Sequence, residues 1–342
     1  MRILLVTQMW PSAEHPDLGS FLVPVVRELE GLGHVVEVSA ISERGGGPAK
    51  YARLSSEARR EARRFGPDVV FAHFLFPAGA AGAFAARAAG VPLVVMAHGQ
   101  DVENLESMRW VRRPTRSVLG RSSSLIVNSR WLGERLERRL PGAGPPPFAV
   151  IDCGVDLDAF APRPAGPART AVGWDGEGPA LVCVGSLIER KNVVALADAF
   201  AGLGAGRLAF VGDGPLRAEL EGRPGVRVVG RVPHDQVPAW IAAADVLCQP
   251  SLIEPFGQAA LEAMAMERTV VATSVGGPPE FVTEEAGVLV DPQDRAALVA
   301  ALERAVAMPT PNPAAREAAA EHDVKRQAAR MSELLERAVA GA

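Results

Sequence analysis

At 342 residues, the chain is long enough for two domains of ordinary size, each with its own apolar core. Hydrophobic residues make up 48% of the sequence, which excludes an intrinsically disordered chain. The net charge of −4 hides an asymmetry, because residues 1–165 carry 20 basic and 17 acidic side chains whereas the remainder carries 16 and 23; no nucleic-acid motif accompanies the basic half, so we expect no nucleic-acid partner.

No segment of the sequence resembles a targeting signal or a membrane span. The first apolar run, residues 3–6, is too short for the core of a signal peptide. The longest uncharged apolar stretch, residues 74–86, is short and is interrupted by Pro77. Arginine-rich segments at 59–64 and 109–116 are either solvated helix faces or a surface for an anionic membrane or a charged acceptor. We therefore expect a cytoplasmic protein that makes at most peripheral contact with the inner face of the membrane.

Short apolar runs alternate with helical patterns along the first half of the chain. Residues 2–7 form a continuous apolar run, which is typical of a strand buried on both faces of a parallel sheet. A helical pattern follows at 21–32, and further strand-like runs occupy 35–41, 68–73, 92–98 and 124–129. This alternation predicts an α/β domain with an open parallel sheet and helices on both faces.

Two stretches rich in Pro and Gly, residues 141–147 and 162–169, interrupt this alternation. A fresh series of strand-like runs then occupies 180–185, 208–212, 226–230, 245–250, 269–274 and 287–290. The sequence therefore predicts a first domain over 1–160 and a second over 161–313, followed by a tail that has the pattern of one helix. Ligands of open α/β sheets bind at the carboxyl ends of the strands, so residues that follow strands are candidates for a site.

The segment 251–280 carries the strongest motif, two glutamates separated by seven residues, with a Phe-Gly pair between them and Ala-Met after the second. It resembles the signature of glycosyltransferase family 4, which implies a GT-B fold: two Rossmann-like parallel-sheet domains that face each other across a cleft. The resemblance also implies transfer of a sugar from a nucleoside diphosphate with retention of configuration, and a C-terminal helix, 314–342, that returns to the first domain. The matching positions are Glu254, Phe256, Gly257, Glu262, Ala263 and Met264.

The chemistry of the motif agrees with this resemblance. Gly257 lies where a loop turns into a helix, so the N–H groups of Gly257, Gln258 and Ala259 would point at a bound diphosphate. Glu254, in the preceding loop, can accept hydrogen bonds from sugar hydroxyls. By resemblance, Glu262 binds the ribose hydroxyls and Phe256 belongs to the donor site. Because the two glutamates are separated along a helix, they do not form the close carboxyl pair of a retaining glycosidase.

A basic pair, Arg190 and Lys191, follows the first strand of the second domain at the position where the family has one. A departing nucleoside diphosphate needs its charge neutralised, which a guanidinium and an ammonium can do. We therefore expect no metal. Asn192 replaces a glycine that is common in the family. Arg231 and Val232 resemble residues that border the nucleotide base, and the segment 266–271 lacks the usual Gly and Pro, which we interpret as a neutral loop change.

Residues after strands of the first domain match the family less densely. His98 and Asp101 resemble a His-Gly-x-Asp segment, which implies that His98 contacts the donor sugar and that Asp101 shapes the loop or contacts the acceptor. His73 ends a strand and either lines the acceptor side or caps the strand. Gly19 lets the backbone approach the phosphate, although Ser20 stands where the family often has a second glycine.

These matches predict a retaining glycosyltransferase in which Arg190, Lys191, Glu254 and His98 carry the reaction. We expect a UDP-, GDP- or ADP-type sugar as donor, no further cofactor, and a glycan, a lipid-linked acceptor or a small molecule, with cell-envelope polysaccharide or glycolipid synthesis favoured. An epimerase, a phosphorylase or a non-catalytic nucleotide-sugar-binding protein on the same fold are the alternatives. No G-x-G-x-x-G follows a strand, which argues against a nicotinamide oxidoreductase.

Overall fold

The computed structural model describes residues 1–45, 47–141 and 148–342. This part of the chain divides into two compact units, Met1–Gly154 with Val324–Ala342, and Val155–Asp323. The first Pro/Gly-rich stretch, apart from Pro141, lies outside the described residues. The predicted boundary after residue 160 falls later than the observed one, because Val155 and Phe160 bury their side chains in the core of the second unit.

The first unit is built on a parallel sheet. Its described strands lie in the order β2-β1-β3-β4-β5-β6. The strands are β1 (Arg2–Thr7), β2 (Val35–Ala40), β3 (Val69–His73), β4 (Leu93–Ala97), β5 (Ser124–Val127) and β6 (Phe148–Val150). The helices before the unit boundary are α1 (Leu22–Gly31), α2 (Ala49–Phe65), α3 (Ala78–Ala89), α4 (Gln100–Ser107), α5 (Arg112–Leu119) and α6 (Arg130–Arg139).

The continuous apolar runs become strands because both faces of this sheet are covered. In β3, Val69 and Phe71 pack with α1, whereas Val70 and Ala72 pack with α2 and α3 on the other face. The helices end where their sequences require it, since Gly66 and Gly90 adopt the left-handed conformation just after α2 and α3. The predicted doubly covered sheet is confirmed.

The second unit repeats this architecture with its own core. Its strands lie in the order β12-β11-β10-β7-β8-β9, all parallel. They are β7 (Ala180–Val184), β8 (Arg207–Val211), β9 (Val226–Gly230), β10 (Val246–Gln249), β11 (Thr269–Thr273) and β12 (Gly287–Val290). The helices are α7 (Ala165–Ala171), α8 (Val193–Gly202), α9 (Arg217–Leu220), α10 (Val237–Ala243), α11 (Gln258–Ala265), α12 (Arg295–Val306) and α13 (Pro313–Ala320).

Each sheet reverses its strand order at one point, which is where open α/β sheets bind ligands. In the first unit the chain runs from β1 to β2 and then crosses to β3 on the other side of β1. In the second unit it runs outward from β7 to β9 and then crosses to β10 on the other side of β7. The loops after β7 and β10 therefore start side by side.

The tail is two helices, so the prediction of one helix over 314–342 is wrong. Helix α13 stays in the second unit, where Ala315 and Ala319 are fully buried. Helix α14 (Val324–Ala340) belongs to the first unit, as the resemblance implies, and packs there against α1. The break occurs because the backbone of residues 322–323 pairs with Val155, whose N–H donates to the His322 carbonyl at 2.8 Å. No helix in the described ranges is both long and apolar enough to cross a membrane.

Candidate functional site

The predicted basic pair and the first glutamate of the motif lie together at the strand-order reversal of the second unit. Arg190 and Lys191 end the loop after β7, and the loop after β10 is tied to it by backbone and side chain. The Leu252 N–H donates to the Arg190 carbonyl at 2.8 Å, and Arg190 Nη1 donates to the Ile253 carbonyl at 3.0 Å. These bonds hold Glu254 next to Lys191.

One oxygen of the Glu254 carboxylate receives three hydrogen bonds. Lys191 Nζ lies 2.5 Å from Glu254 Oε2, Ser251 Oγ donates to the same oxygen at 3.0 Å, and Gln249 Nε2 donates to it at 3.2 Å. Burial by itself would raise the pKa of this carboxyl, but Lys191, Arg190 and Ser251 hold that pKa below its ordinary value. Glu254 is therefore ionised near neutral pH. The sequence does not identify Gln249 or Ser251 as site residues. Gln249 ends a strand, and the carboxyl ends of strands are where open α/β sheets bind ligands.

The backbone of Glu254 is fixed by the loop after β11. Its N–H donates to the Val275 carbonyl at 3.1 Å, and its carbonyl accepts from the Gly277 N–H at 2.9 Å. Gly276 has φ of 130°, and a Cβ atom there would lie 1.9 Å from the Glu254 carbonyl oxygen. The glycine pair after β11 is thus required by the close approach of two backbones.

The predicted anion site at Gly257 has the expected local geometry. Gly257 has φ of 113° and precedes α11, so the chain turns sharply into the helix. Gln258 and Ala259 open the helix and are half-buried. The ring of Phe256, by contrast, is buried in the core, with its centroid 5.3 Å from that of Phe281. Any part that Phe256 has in donor binding is therefore limited to its backbone.

Glu262 is buried inside α11, with 5% of its surface exposed. Burial raises the pKa of its carboxyl to about 8, so it is protonated at neutral pH. Glu254 is ionised, whereas Glu262 is protonated, because no cation of the described residues lowers the pKa of the buried Glu262 carboxyl. The two glutamates of the motif therefore differ in charge.

Replacing Glu262 by Gln should stabilise the protein near pH 8. The folded pKa lies above the unfolded value of 4.5, so the unfolded chain releases this proton first and stability falls as the pH rises from about 4.5 to 8. Glutamine cannot titrate, so the expected gain is on the order of a few kcal/mol at pH 8 and vanishes below about pH 4.5. Urea denaturation across this range measures it; a gain that does not depend on pH would contradict the assignment.

Two other predicted positions of the second unit have distinct surroundings. Asn192 adopts the left-handed conformation, with φ of 58°, and its side chain donates to the Pro292 carbonyl at 2.9 Å. Asparagine tolerates this conformation better than most residues, which explains how it replaces a glycine. Arg231 is exposed and Val232 is half-buried after β9, and no hydrogen bond of the described residues ties either of them to Glu254.

In the first unit, His73 and His98 form a direct pair. His73 Nδ1 lies 2.9 Å from His98 Nε2, and their ring centroids are 5.1 Å apart. Burial lowers the pKa of His98 to about 3, so this ring is neutral at neutral pH. His73 is completely buried, so of its two predicted roles the structure contradicts that of lining the acceptor side. His98, which is only half-buried, is the member of the pair that can reach a ligand.

Asp101 and Gly19 both shape loops at the carboxyl edge of this sheet. The Asp101 carboxylate accepts from the Leu75 N–H at 2.9 Å and from the Gly99 N–H at 2.8 Å, and the side chain is buried. Of the two predicted roles, the structure thus gives Asp101 that of loop former. Gly19 has φ of 69°, and a Cβ atom there would lie 2.4 Å from the Met9 carbonyl oxygen. Glycine is required at this position by the backbone packing alone.

Two family models match the chain, one for each half. The model "Glycosyltransferase Family 4" matches residues 18–159, and "Glycosyl transferases group 1" matches residues 178–308. TuaC of Bacillus subtilis, whose name refers to teichuronic acid biosynthesis, is 27% identical over an alignment of 350 positions, and the match covers 89% of each chain. Relatives named D-inositol 3-phosphate glycosyltransferase, such as that of Kribbella flavida at 33% identity, match 68% of this chain and 61% of their own length.

Solved structures share the whole fold. Sucrose-phosphate synthase from Thermosynechococcus elongatus superposes with a TM-score of 0.81 at 21% identity, covering all of both chains. Anabaena Alr3699/HepE in complex with UDP-glucose superposes with a TM-score of 0.75 at 21% identity, covering 98% of this chain and all of that one. Together with the family models and the strand order of the two sheets, these findings establish that the chain belongs to glycosyltransferase family 4 and has the GT-B fold.

Proposed function

We propose that this glycosyltransferase moves a sugar from a nucleoside diphosphate sugar to an acceptor with retention of the anomeric configuration. The observation that carries the proposal is the grouping of Arg190, Lys191 and Glu254 beside the strand-order reversal of the second unit. The amino end of α11 lies in the same loop and adds oriented N–H groups. HepE, which shares the fold, was solved with UDP-glucose, and this supports a donor of the same class.

In the proposed mechanism the donor carries its own base. Arg190, Lys191 and the first N–H groups of α11 stabilise the diphosphate as its bond to the anomeric carbon breaks. The acceptor hydroxyl attacks that carbon from the same face, and its proton passes to the departing phosphate oxygen. Glu254 accepts a hydrogen bond from a sugar hydroxyl, and the neutral His98 contacts the sugar. Because charge is neutralised by these residues, we expect no metal requirement.

We propose further that the acceptor belongs to cell-envelope polysaccharide or glycolipid synthesis. The name of TuaC refers to a cell-wall polymer, and that relative matches 89% of this chain. A small-molecule acceptor is the alternative, favoured by relatives named for inositol 3-phosphate. Incubation of the protein and donor with glycolipid extracts, or with inositol 3-phosphate, separates the two by the radiolabelled product formed.

Peripheral contact with an anionic membrane would suit a lipid-linked acceptor, and the first unit has a surface of fitting chemistry. Phe84 on α3 is 58% exposed beside Arg87 and beside Arg59 and Arg63 of α2, which line the same groove. These three arginines form no ion pair within the described residues. We expect the protein to float with vesicles containing phosphatidylglycerol and not with phosphatidylcholine vesicles. Phe84→Ser should weaken that flotation, whereas equal flotation of the variant would contradict this surface.

The donor class is tested by a thermal-shift panel of UDP, GDP, ADP, dTDP and CDP, with NAD as control. A ligand present at 100 times its dissociation constant stabilises the folded state by about 2.7 kcal/mol, which raises the melting temperature by a few degrees in a protein of this size. We expect one diphosphate to give the largest shift. No shift with any of them would contradict the proposed donor class. Product made from donor without acceptor would indicate an epimerase, and product made with inorganic phosphate a phosphorylase.

A further inference from the structure

The two oxygens of the Glu254 carboxylate have different surroundings. Oε2 receives hydrogen bonds from Lys191, Ser251 and Gln249, whereas no donor among the described residues reaches Oε1. The side chain keeps 9% of its surface exposed. The carboxylate is therefore held by one oxygen while the other remains available for a ligand.

We propose that Gln249 and Ser251 are positioning residues, which fix the plane of the Glu254 carboxylate so that Oε1 faces a hydroxyl of the donor sugar. An ammonium alone would not fix this plane, since Lys191 is a point charge that can approach either or both carboxylate oxygens. Two neutral donors on the Oε2 side, Ser251 Oγ at 3.0 Å and Gln249 Nε2 at 3.2 Å, restrict that freedom. We call the hydrogen bonds from Gln249 and Ser251 to Glu254 Oε2 the clamp. The identity of the hydroxyl-bearing ligand rests on the proposed function, whereas the clamp does not.

The surroundings of Gln249 support a functional reason for its amide. The side chain is 4% exposed at the end of β10, and Oε1 of Gln249 has no hydrogen-bond partner within the described residues. A buried carbonyl oxygen without a partner costs stability. Methionine would fill a similar volume without this oxygen, so packing alone gives no reason for an amide here. The bond to Glu254 does.

The test compares Gln249→Met and Ser251→Ala with the wild-type protein. Calorimetry would measure the binding of UDP and of UDP-glucose, or of the corresponding pair with the base selected by the diphosphate panel. We expect each variant to bind the nucleotide sugar about tenfold more weakly and the free diphosphate within about twofold of wild type, because only the sugar contacts Oε1. The melting temperature of Gln249→Met should stay near that of wild type, because removal of the unpaired oxygen offsets the loss of the hydrogen bond to Glu254.

A second measurement does not depend on the donor. Titration of the Glu254 carboxyl carbon by NMR should give a higher pKa in Ser251→Ala than in wild type, because a hydrogen bond to the charged form is lost. Thr115→Val is the matched control, since it removes another buried and unpartnered oxygen, in α5 of the first unit. It should leave the binding of UDP-glucose and the pKa of Glu254 unchanged.

The outcomes separate the clamp from the proposed function. Equal weakening of UDP and UDP-glucose binding, or no weakening of either, would overturn the positioning roles. A melting temperature of Gln249→Met well below that of wild type would assign its amide a structural role instead. If wild type binds no nucleotide sugar, the proposed function fails, and the NMR titration alone decides the clamp: an unchanged pKa of Glu254 in Ser251→Ala overturns it.

Discussion

Replacement of Lys191 by Met should reduce glycosyl transfer by roughly 10²–10³-fold, the loss typical of removing one group that stabilises developing negative charge. Lys191 Nζ lies 2.5 Å from Glu254 and is 16% exposed, so its charge acts in a partly desolvated site. The variant loses both the cation that would face the diphosphate and the strongest donor to Glu254. Initial rates at saturating donor measure the loss, and transfer at the wild-type rate would contradict the site.

The same substitution should destabilise the protein, and the pH dependence identifies the cause. Without Lys191, the Glu254 carboxylate is buried without its cation, which costs about 3–5 kcal/mol at neutral pH. The pKa of Glu254 is then higher in the variant than in wild type, so the difference in stability should shrink as the pH falls through the variant's pKa and then through the depressed wild-type pKa. The double variant Lys191→Met with Glu254→Gln removes the unpaired charge, and it should recover stability without recovering transfer. Loss of transfer with recovered stability separates the catalytic effect from the folding effect.

The site was predictable as far as its residue types determine it. The motif places Glu254 and Gly257 in a loop after one strand, and the basic pair follows another strand. The structure brings Lys191 and Glu254 into contact. The charge states of Glu254 and Glu262 cannot be predicted from the sequence, because both residues are glutamates. Burial beside a cation leaves Glu254 ionised, and burial without one leaves Glu262 protonated. The sequence does not identify Gln249 and Ser251, because an amide or a hydroxyl near a loop often only forms hydrogen bonds with the local backbone.

The errors about the fold have the same origin, in contacts between segments distant in sequence. The tail has a continuous helical pattern, and nothing local ends α13. The pairing of Val155 with the backbone of residues 322–323 interrupts it. His73 ends a strand as a ligand-facing residue would, yet its side chain is completely buried and lies against the rings of Phe71 and His98. Glu267 lies in the segment 266–271, whose lack of the family's usual glycine we interpret as a neutral loop change. It adopts φ of 58°, a left-handed conformation that strains glutamate more than it would strain glycine.

Replacement of Gly276 by Ala should reduce transfer about 100-fold, although Gly276 has no side chain to contact a substrate. The new Cβ atom would lie 1.9 Å from the Glu254 carbonyl oxygen, so the loop that carries Glu254 must shift by on the order of 1 Å, a displacement that can cost about 100-fold in rate. Alanine at φ of 130° also costs stability, on the order of 1–3 kcal/mol.

Gly31→Ala is the matched control for this substitution. Gly31 is the last residue of α1, and a Cβ atom there meets no atom within 4 Å. This variant should retain full transfer and gain up to about 1 kcal/mol of stability, because alanine is the better helix former. Steady-state rates, with circular dichroism to confirm folding, compare the two. If Gly276→Ala folds and transfers sugar at the rate of Gly31→Ala, the position of the Glu254 backbone does not limit catalysis. The Glu254 side chain would then have to contribute to donor binding in a way that tolerates movement of its loop.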